Sequence, residues 1–487
     1  MRTADWIIRS FHKLGLKNIF GVTGGAVVHL FDAASQLEDL TTTFFNHEQS
    51  ASFAVEAYVK ITSEISVCIV TTGPGATNAI TGLCGAWLDS VPAIYISGQA
   101  RSNNLIKGRP LRQVGTQEID IIPMVTPVTK YAVQIVNQNQ VKECFINALK
   151  ARLEGRPGPV WIDIPVDILW SEFNEELIKE EDLKIRKESF DIEEINKIII
   201  KNLTISRRPL LLLGGGCRSP EIKNLEKKLN KIGIPFVTTW LGHDLVTFSE
   251  NELHLGHVGI SGQRGANLAL GNADLLIAIG SSISNSVSTT KLERFAPKAT
   301  KININIDENE FTHTVDFFDY NLKGTAEVAL DLISKVKLDI NLIFKWKEFN
   351  NLCRNLSLNE SPKNNNFIHP FEVFRSLEKI APYNSIFASD GGGTTVYSIL
   401  QSLRPKRDQR LIVVSGLGSM GSGIPECIGL ARTSRPVFLF CGDGSFPFNI
   451  QELQVIKDFK LPIFITVFSN EAYLSIRSTQ SQFLNGK

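Results

Sequence analysis

The chain has 487 residues, of which 43% are hydrophobic, and its formal net charge is +1. This composition is typical of a globular protein of roughly three domains. The balanced charge argues against nucleic acid or an anionic membrane as a partner, and the apolar runs are too short to span a membrane.

Strand-length apolar runs alternate with helical stretches along nearly the whole chain, which predicts parallel sheets covered by helices on both faces. The first group of runs covers residues 19–21, 43–45, 67–72, 93–98 and 160–164. A charged stretch over 175–187 suits a linker, and the second group covers 209–213, 236–239, 275–279 and 301–306. A polar stretch over 355–366 precedes the third group, at 386–389, 411–414, 437–441 and 463–468.

We therefore expect an α/β protein with three doubly wound parallel-sheet domains, over residues 1–172, 188–340 and 365–487. A parallel sheet usually continues beyond a run such as 463–468, so we expect the third domain to lack its C-terminal part. The seven cysteines include no C-x-x-C pair. They are typical of buried thiols in a reducing compartment, and no signal-peptide core follows Met1, so we expect a cytoplasmic protein.

The clearest functional signal comes from two polar residues that each follow an apolar run. Asp443 lies in Gly442-Asp443-Gly444 after one run, and Asn470 follows the next run 27 positions later. A right-handed crossover, with a helix presenting Ile450, Leu453 and Ile456, would bring both to the carboxyl edge of one sheet. A carboxylate and an amide oxygen there suit Mg²⁺. The alternative interpretation is a plain turn followed by a helix cap.

The segment from Gly416 to Gly421 matches G-x-G-x-x-G between a predicted strand and a predicted helix, which would permit a dinucleotide site. The next strand ends in Asp443, however, which is better explained as a metal ligand than as a ribose-binding acid. A nicotinamide cofactor is therefore a minor alternative.

Further turns at strand ends are open to two interpretations. Glu48 either interacts with a helix dipole or is a buried carboxyl that exchanges a proton with a ligand nitrogen. The turn over residues 73–78 either approaches a ligand or only reverses the chain. Backbone amides over 391–395 could receive phosphate oxygens, whereas Gly214-Gly215-Gly216 fits a second nucleotide or a tight turn equally well.

Taken in order along nearly the whole chain, these motifs resemble those of the thiamine diphosphate-dependent enzymes, and among them the acetolactate synthase large subunits. The matching segments are 20–26, 47–49, 73–78, 156–160, 416–425 and 442–444 through Asn470. They are specific for the cofactor and much less so for the substrate.

The resemblance implies a role for each matching residue. Glu48 would bond the pyrimidine ring of the cofactor, with Gly24, Pro74 and Asn78 nearby. Gln117 lies where the family's ligases place a Gln, which favours carboligation, and would be a catalytic residue. The Gly418 carbonyl would receive the pyrimidine amino group, and Met420 would separate the two rings. Mg²⁺ would be held by Asp443, Asn470 and the carbonyl of Ala472. The diphosphate would be surrounded by Gly391, Gly392, Gly393, Thr394, Gly442, Gly444 and Ser445.

The resemblance also implies a reaction and an assembly. We expect decarboxylation of a 2-keto acid, with pyruvate as the default, and carboligation of the remaining fragment to a second carbonyl, as in branched-chain amino acid biosynthesis. The two halves of a site come from different subunits in this family, which implies a homodimer or homotetramer, with a small regulatory subunit as a further partner.

Three departures weaken the specific assignment. Residues 281–286 are Ser-Ser-Ile-Ser-Asn-Ser where the synthases have a flavin-binding segment with two arginines, so bound FAD is doubtful. Val166 replaces a lysine, and Thr479 replaces the tryptophan that narrows the acceptor pocket. The alternatives are therefore a carboligase with a larger acceptor, such as an aldehyde or keto-sugar, and a non-catalytic cofactor-binding homologue.

Overall fold

The structure is a computed structural model that describes residues 1–106, 108–185, 188–289, 291–358, 368–413, 416–471 and 473–486. It contains three parallel sheets with helices between their strands. The predicted α/β class with three parallel sheets is thereby confirmed.

The first sheet has six parallel strands in the order β2-β1-β3-β4-β6-β5. Its strands are β1 Asn18–Gly21, β2 Thr41–Phe44, β3 Ser66–Val70, β4 Ile94–Gln99, β5 Tyr131–Gln134 and β6 Val160–Pro165. Every residue of β3, β4 and β6 is buried, which explains why apolar residues predominate in these strands. The helices are α1 Thr3–Lys13, α2 Val28–Ser35, α3 Glu48–Thr62, α4 Pro74–Asn78, α5 Ile80–Leu88, α6 Ile122–Val125, α7 Val141–Ala151 and α8 Val166–Trp170.

The second sheet also has six parallel strands, in the order β12-β11-β10-β7-β8-β9. Its strands are β7 Pro209–Leu213, β8 Phe236–Thr238, β9 His254–His257, β10 Leu275–Ile279, β11 Thr300–Asn305 and β12 Tyr320–Lys323. Leu211 and Leu213 pack into one core and Leu210 and Leu212 into another, because side chains alternate between the two covered faces. The helices are α9 Ile192–Ile205, α10 Leu225–Ile232, α11 Arg264–Asn272, α12 Asn285–Ser288, α13 Ala326–Ile333 and α14 Ile340–Leu358.

The third sheet has four strands in the order β14-β13-β15-β16. Its strands are β13 Ile386–Asp390, β14 Arg410–Val413, β15 Val437–Gly442 and β16 Ile463–Phe468, and its helices are α15 Pro370–Ile380, α16 Gly393–Ser402, α17 Gly423–Ala431, α18 Leu453–Asp458 and α19 Leu474–Phe483. By packing, the chain divides into a first unit of Met1–Lys187 with Val414–Ala472 and a second unit of Glu188–Val413 with Tyr473–Lys487.

Three strands that the sequence did not predict are β5, β9 and β12, and each lies at the end of a sheet. Every residue of β5 is half-buried, and so are three of the four residues of β12. β9 has the sequence His-Leu-Gly-His, which is not an apolar run. None of them has the apolar run that marks a central strand.

Two further expectations were wrong. The polar stretch over 355–366 was expected to separate the second and third groups, but α14 continues through its first residues to Leu358. The segment after Asp443 is a 3-10 helix over Phe446–Glu452 that bends at Asn449 before α18 begins. Ile450 is 45% exposed and therefore does not share a buried face with the residues that follow.

Candidate functional site

Glu48 and Asn78 meet at the carboxyl edge of the first sheet. Glu48 is the first residue of α3, directly after His47, whose ring caps the helix by accepting from the Gln49 amide at 3.1 Å. The side-chain amide of Asn78, at the end of α4, donates to Glu48 Oε2 at 3.0 Å. Glu48 is partly exposed, so the sequence-based description of a buried carboxyl was wrong, and a ligand in solution can reach it.

The remaining first-domain candidates lie around Thr71, which follows β3. The Cα atoms of Gly24 and Gly75 are so close to Thr71 that a side chain on either would approach it within 3 Å. Pro74 occupies the first turn of α4. The structure therefore brings the turns over 22–26 and 71–78 together beside Glu48.

Gln117 reaches the same turn from a loop. Its φ is 61°, a strained value for a residue with a side chain, and its carbonyl accepts from Thr72 Oγ1 at 3.2 Å. Thr72 Oγ1 also bonds Gln99 Oε1 at 2.7 Å, and Gln99 Nε2 donates to Asp163 at 3.1 Å. Sequence reasoning missed Gln99 and Asp163, which connect the Gln117 loop to the buried sheet.

Asp163 is fully buried and accepts from Ser97 at 2.5 Å and from Gln134 at 2.8 Å as well as from Gln99. Burial raises the pKa of its carboxyl to about 6, although these three hydrogen bonds act in the opposite direction. The Asp163 carboxyl thus has a pKa above its ordinary range, and it belongs to the hydrogen-bond network that holds the Gln117 loop.

The segment 416–421 forms a loop in the first unit, between β14 and α17 in sequence, and is exposed over 416–418 but buried at Gly421. Its Gly416 amide donates to Asp89 Oδ1 at 3.1 Å, and the other oxygen of Asp89 forms an ion pair with Lys60 at 2.7 Å. Gly418 has a φ of +66°, and a side chain there would meet no protein atom within 4 Å. Met420 is half-buried. The centre of the loop is therefore open to a ligand.

Asp443 and Asn470 are neighbours at the carboxyl ends of β15 and β16. Asp443 Oδ2 accepts from the Asn470 amide at 3.0 Å, the Glu471 amide at 2.8 Å and Ser469 Oγ at 3.2 Å. Partial burial acts to raise the pKa of Asp443, but the backbone amides outweigh it and the pKa is lowered. Asp443 is therefore an anion at neutral pH.

The turn after β15 continues through Gly444 to Ser445, which is buried and whose amide donates to the Gly442 carbonyl at 3.1 Å. A side chain at Gly442 would meet no atom within 4 Å, so the backbone here is accessible. Ala472, the third predicted metal ligand, lies outside the described residues.

The predicted diphosphate loop lies in the second unit. Gly391 and Gly392 have φ values of +74° and +21°, and α16 begins at Gly393, with Thr394 in its first turn. Gly392 and Gly393 lie close to Ser475 Oγ on α19, which the sequence did not single out. Thr479 is one turn further along α19 and bonds the Ser475 carbonyl at 3.0 Å. Thr479 thus lies on the face of α19 that adjoins the loop.

The serine segment over 281–286 bonds largely within its own domain. Ser282 Oγ donates to Glu310 at 2.9 Å, and the hydroxyls of Ser284 and Ser286 are 2.8 Å apart. The Gly216 amide donates to the Gly280 carbonyl at 2.9 Å, which favours the tight-turn interpretation of Gly214-Gly215-Gly216. A cavity of about 490 Å³ in this unit has Lys291 and Arg294 in its lining.

Taken one residue at a time, the groups at these positions have the chemistry that thiamine diphosphate and Mg²⁺ require. Asp443 supplies an anionic oxygen, Gly418 supplies an open backbone, and Glu48 supplies an accessible carboxyl next to Asn78. Over the described part of the chain, no group of three or more His, Cys, Asp or Glu residues could hold a metal ion, so a metal bound by Asp443 would take its other ligands from amide, backbone and cofactor oxygens. No helix in the same residues is long and apolar enough to cross a membrane.

Comparison with known proteins matches three parts of the chain to thiamine pyrophosphate enzymes. Residues 1–124 match the N-terminal binding domain, residues 197–333 the central domain and residues 390–487 the C-terminal binding domain. The acetolactate synthase large subunit of Buchnera aphidicola is 30% identical over 99% of this chain and 85% of its own length. That of Lactococcus lactis is 31% identical over 98% and 82%, and the isozyme 2 large subunit of Escherichia coli is 30% identical over 99% and 85%.

Proposed function

The chain belongs to the thiamine pyrophosphate enzyme family, and from this premise we propose that it decarboxylates a 2-keto acid and ligates the fragment to a second carbonyl, as an acetolactate synthase does. The observation that carries the proposal is the pair of neighbouring residues Asp443 and Asn470 in a chain that also presents Glu48 beside Asn78. Pyruvate is the proposed substrate.

Thiamine diphosphate, when bound, supplies the carbon nucleophile and the electron sink that the decarboxylation needs. Asp443 and Asn470, with the carbonyl of Ala472, would hold Mg²⁺ and through it the diphosphate. Residues 391–394, together with Gly444 and Ser445, would surround the diphosphate, and the amides at the start of α16 would receive phosphate oxygens. These contacts position the cofactor but do not change its protonation.

Proton handling falls to Glu48. Its carboxyl would exchange a proton with the far nitrogen of the pyrimidine ring, while Asn78 fixes the orientation of that carboxyl. The Gly418 carbonyl would accept from the amino group of the same ring, and Met420 would keep the two rings apart. Gln117, held by Thr72, would face the substrate.

The relatives favour the synthase reaction over the alternatives of a larger acceptor or a non-catalytic homologue. Product identification by mass spectrometry tests this: pyruvate alone should give acetolactate. An aldehyde adduct in its place, in reactions supplied with an aldehyde, would assign a different acceptor, and Thr479 would then be the residue to examine first.

The assembly is proposed as a homodimer or larger, because Glu48 and Asp443 of one chain would serve different sites. A mixture of Glu48→Gln and Asp443→Asn subunits, unfolded and refolded together, should regain part of the activity that each variant lacks. The names of the relatives include the words large subunit, which supports a smaller partner subunit for this chain too.

Two further features complete the proposal. Where the synthases have a flavin-binding segment with two arginines, the hydroxyls of Ser284 and Ser286 bond each other and that of Ser282 bonds Glu310. The purified protein should therefore carry no stoichiometric FAD. Cys68, Cys144, Cys217 and Cys353 are buried free thiols, which supports a cytoplasmic location.

A further inference from the structure

Asn449 is a buried amide in a segment that no motif singled out. It is 2% exposed and lies within the 3-10 helix that follows the Gly442-Asp443-Gly444 turn. Its backbone angles, φ −129° and ψ 35°, are non-helical and bend the helix at this point. A buried amide is costly unless its hydrogen bonds are made, so its contacts define its role.

The side-chain amide of Asn449 forms hydrogen bonds to the 416–421 loop and to the first turn of α3, both in the first unit. Nδ2 donates to the Gly421 carbonyl at 2.8 Å and, less closely, to Gln49 Oε1 at 3.4 Å. Oδ1 accepts from Ser50 Oγ at 3.1 Å and from Gln451 Nε2 at 3.2 Å. Gln49 and Ser50 directly follow Glu48 in the first turn of α3. One side chain therefore joins the 416–421 loop to the helix that carries Glu48.

Gly421 is shaped to accept this contact. Its φ is +85°, and a side chain there would lie 2.3 Å from Phe448 Cβ and 3.3 Å from Asn449 Nδ2. The other end of the loop is held by Asp89, which bonds the Gly416 amide and is itself paired with Lys60. Both ends of the loop are thus fixed, while Gly418 between them has no neighbour within 4 Å of its side-chain position.

We propose that Asn449 is a positioning residue for the cofactor: its amide fixes the Gly421 carbonyl and so orients Gly418 and Met420 within the 416–421 loop. The proposal rests on the proposed function, because it assigns the 416–421 loop to the pyrimidine part of thiamine diphosphate. It adds a residue whose effect passes through the loop and not through contact with the cofactor.

Asn449→Asp tests the proposal with little change in shape. A carboxylate keeps an oxygen for Ser50 but loses the N–H donor and faces the Gly421 carbonyl. We expect thiamine diphosphate, titrated calorimetrically with saturating Mg²⁺, to bind about tenfold more weakly or worse. Ser50→Ala is the matched control, since it removes a partner of Oδ1 but leaves the donor to Gly421, and should bind within about twofold of the wild type.

A second readout separates local positioning from general destabilisation. In cofactor-free protein, amide hydrogen exchange over residues 416–423 should be faster in Asn449→Asp than in the wild type and in Ser50→Ala, while the strands of the first sheet stay unchanged. If Asn449→Asp does not fold, Asn449→Ala, which also removes the N–H donor, takes its place in the measurements of affinity and amide exchange. Wild-type affinity and wild-type exchange in a folded variant would overturn the proposal. Failure of the wild type to bind thiamine diphosphate would contradict the proposed function, and the exchange comparison would still test the contact.

Discussion

The backbone amide of Asn470 donates to the carboxylate of Asp443 at 3.0 Å, although 27 positions separate the two residues in sequence. The contact follows from the pairing of β15 with β16, in which Gly442 is aligned with Phe468. The strand ends therefore carry both residues to one point of the sheet edge, where Asp443 is kept ionised by two backbone amides.

Asp443→Asn should weaken Mg²⁺-dependent binding of thiamine diphosphate by more than about tenfold, because a neutral amide replaces the carboxylate that is proposed to bind the metal. Titration of Mg²⁺ at fixed cofactor, followed calorimetrically, measures the effect. Asp458→Asn, an exposed position at the end of α18, is the control and should behave as the wild type. Equal Mg²⁺ affinity in both variants would remove Asp443 from the metal site.

Glu48→Gln should lower turnover by about 10²- to 10⁴-fold, since the amide cannot exchange a proton with the cofactor. Cofactor affinity should change little, because Gln can still accept from Asn78. The two quantities are measured on the same preparation, by steady-state rate and by calorimetry, with the exposed Glu38→Gln as control. Full activity in Glu48→Gln would show that the proton relay is misassigned.

Asp163 should make the free energy of unfolding fall as pH rises through the range from 4 to 6. Its pKa is raised from 3.8 to about 6 by burial, so the folded state holds the proton more tightly than the unfolded state. The stabilisation is complete below pH 3.8 and is lost above pH 6, a change of about 3 kcal/mol. Urea unfolding at several pH values should show this slope removed in Asp163→Asn; an unchanged slope would contradict the assignment.

His243 should have the opposite effect on the second unit. Burial, followed by the charge of Arg404, lowers its pKa from 6.5 to about 4, while Asp244 acts to raise it. The neutral ring is thus favoured in the fold, and its contribution is complete above pH 6.5 and lost as pH falls towards 4. Between pH 7 and pH 4 the free energy of unfolding should fall in both proteins, and the fall should be about 3 kcal/mol smaller in His243→Gln than in the wild type. Parallel acid unfolding curves for the two proteins would exclude this contribution.

The central strands and the edge residues of the site could be predicted from sequence because they depend on local signals. β3, β10 and β15 are apolar runs of strand length, and Asp443 and Asn470 follow directly from the ends of two such runs. The parallel crossover rule then places them together without any knowledge of the rest of the chain.

The supporting residues could not be predicted, because their partners are distant in sequence and their types are common. Asp163 bonds Ser97 and Gln99, 66 and 64 positions away, and Asn449 bonds Ser50 across 399 positions. A single Asp inside an apolar strand, or a single Asn after a turn, carries no local sign of these contacts. Only the register of the strands and the packing of α3 reveal them.

The most direct measurement is CO₂ release from pyruvate by the purified chain, with thiamine diphosphate and Mg²⁺ each supplied or withheld. The proposed function predicts release only when both are present, with loss in Glu48→Gln. No release from folded protein that binds both cofactors, or release that does not depend on them, would contradict it.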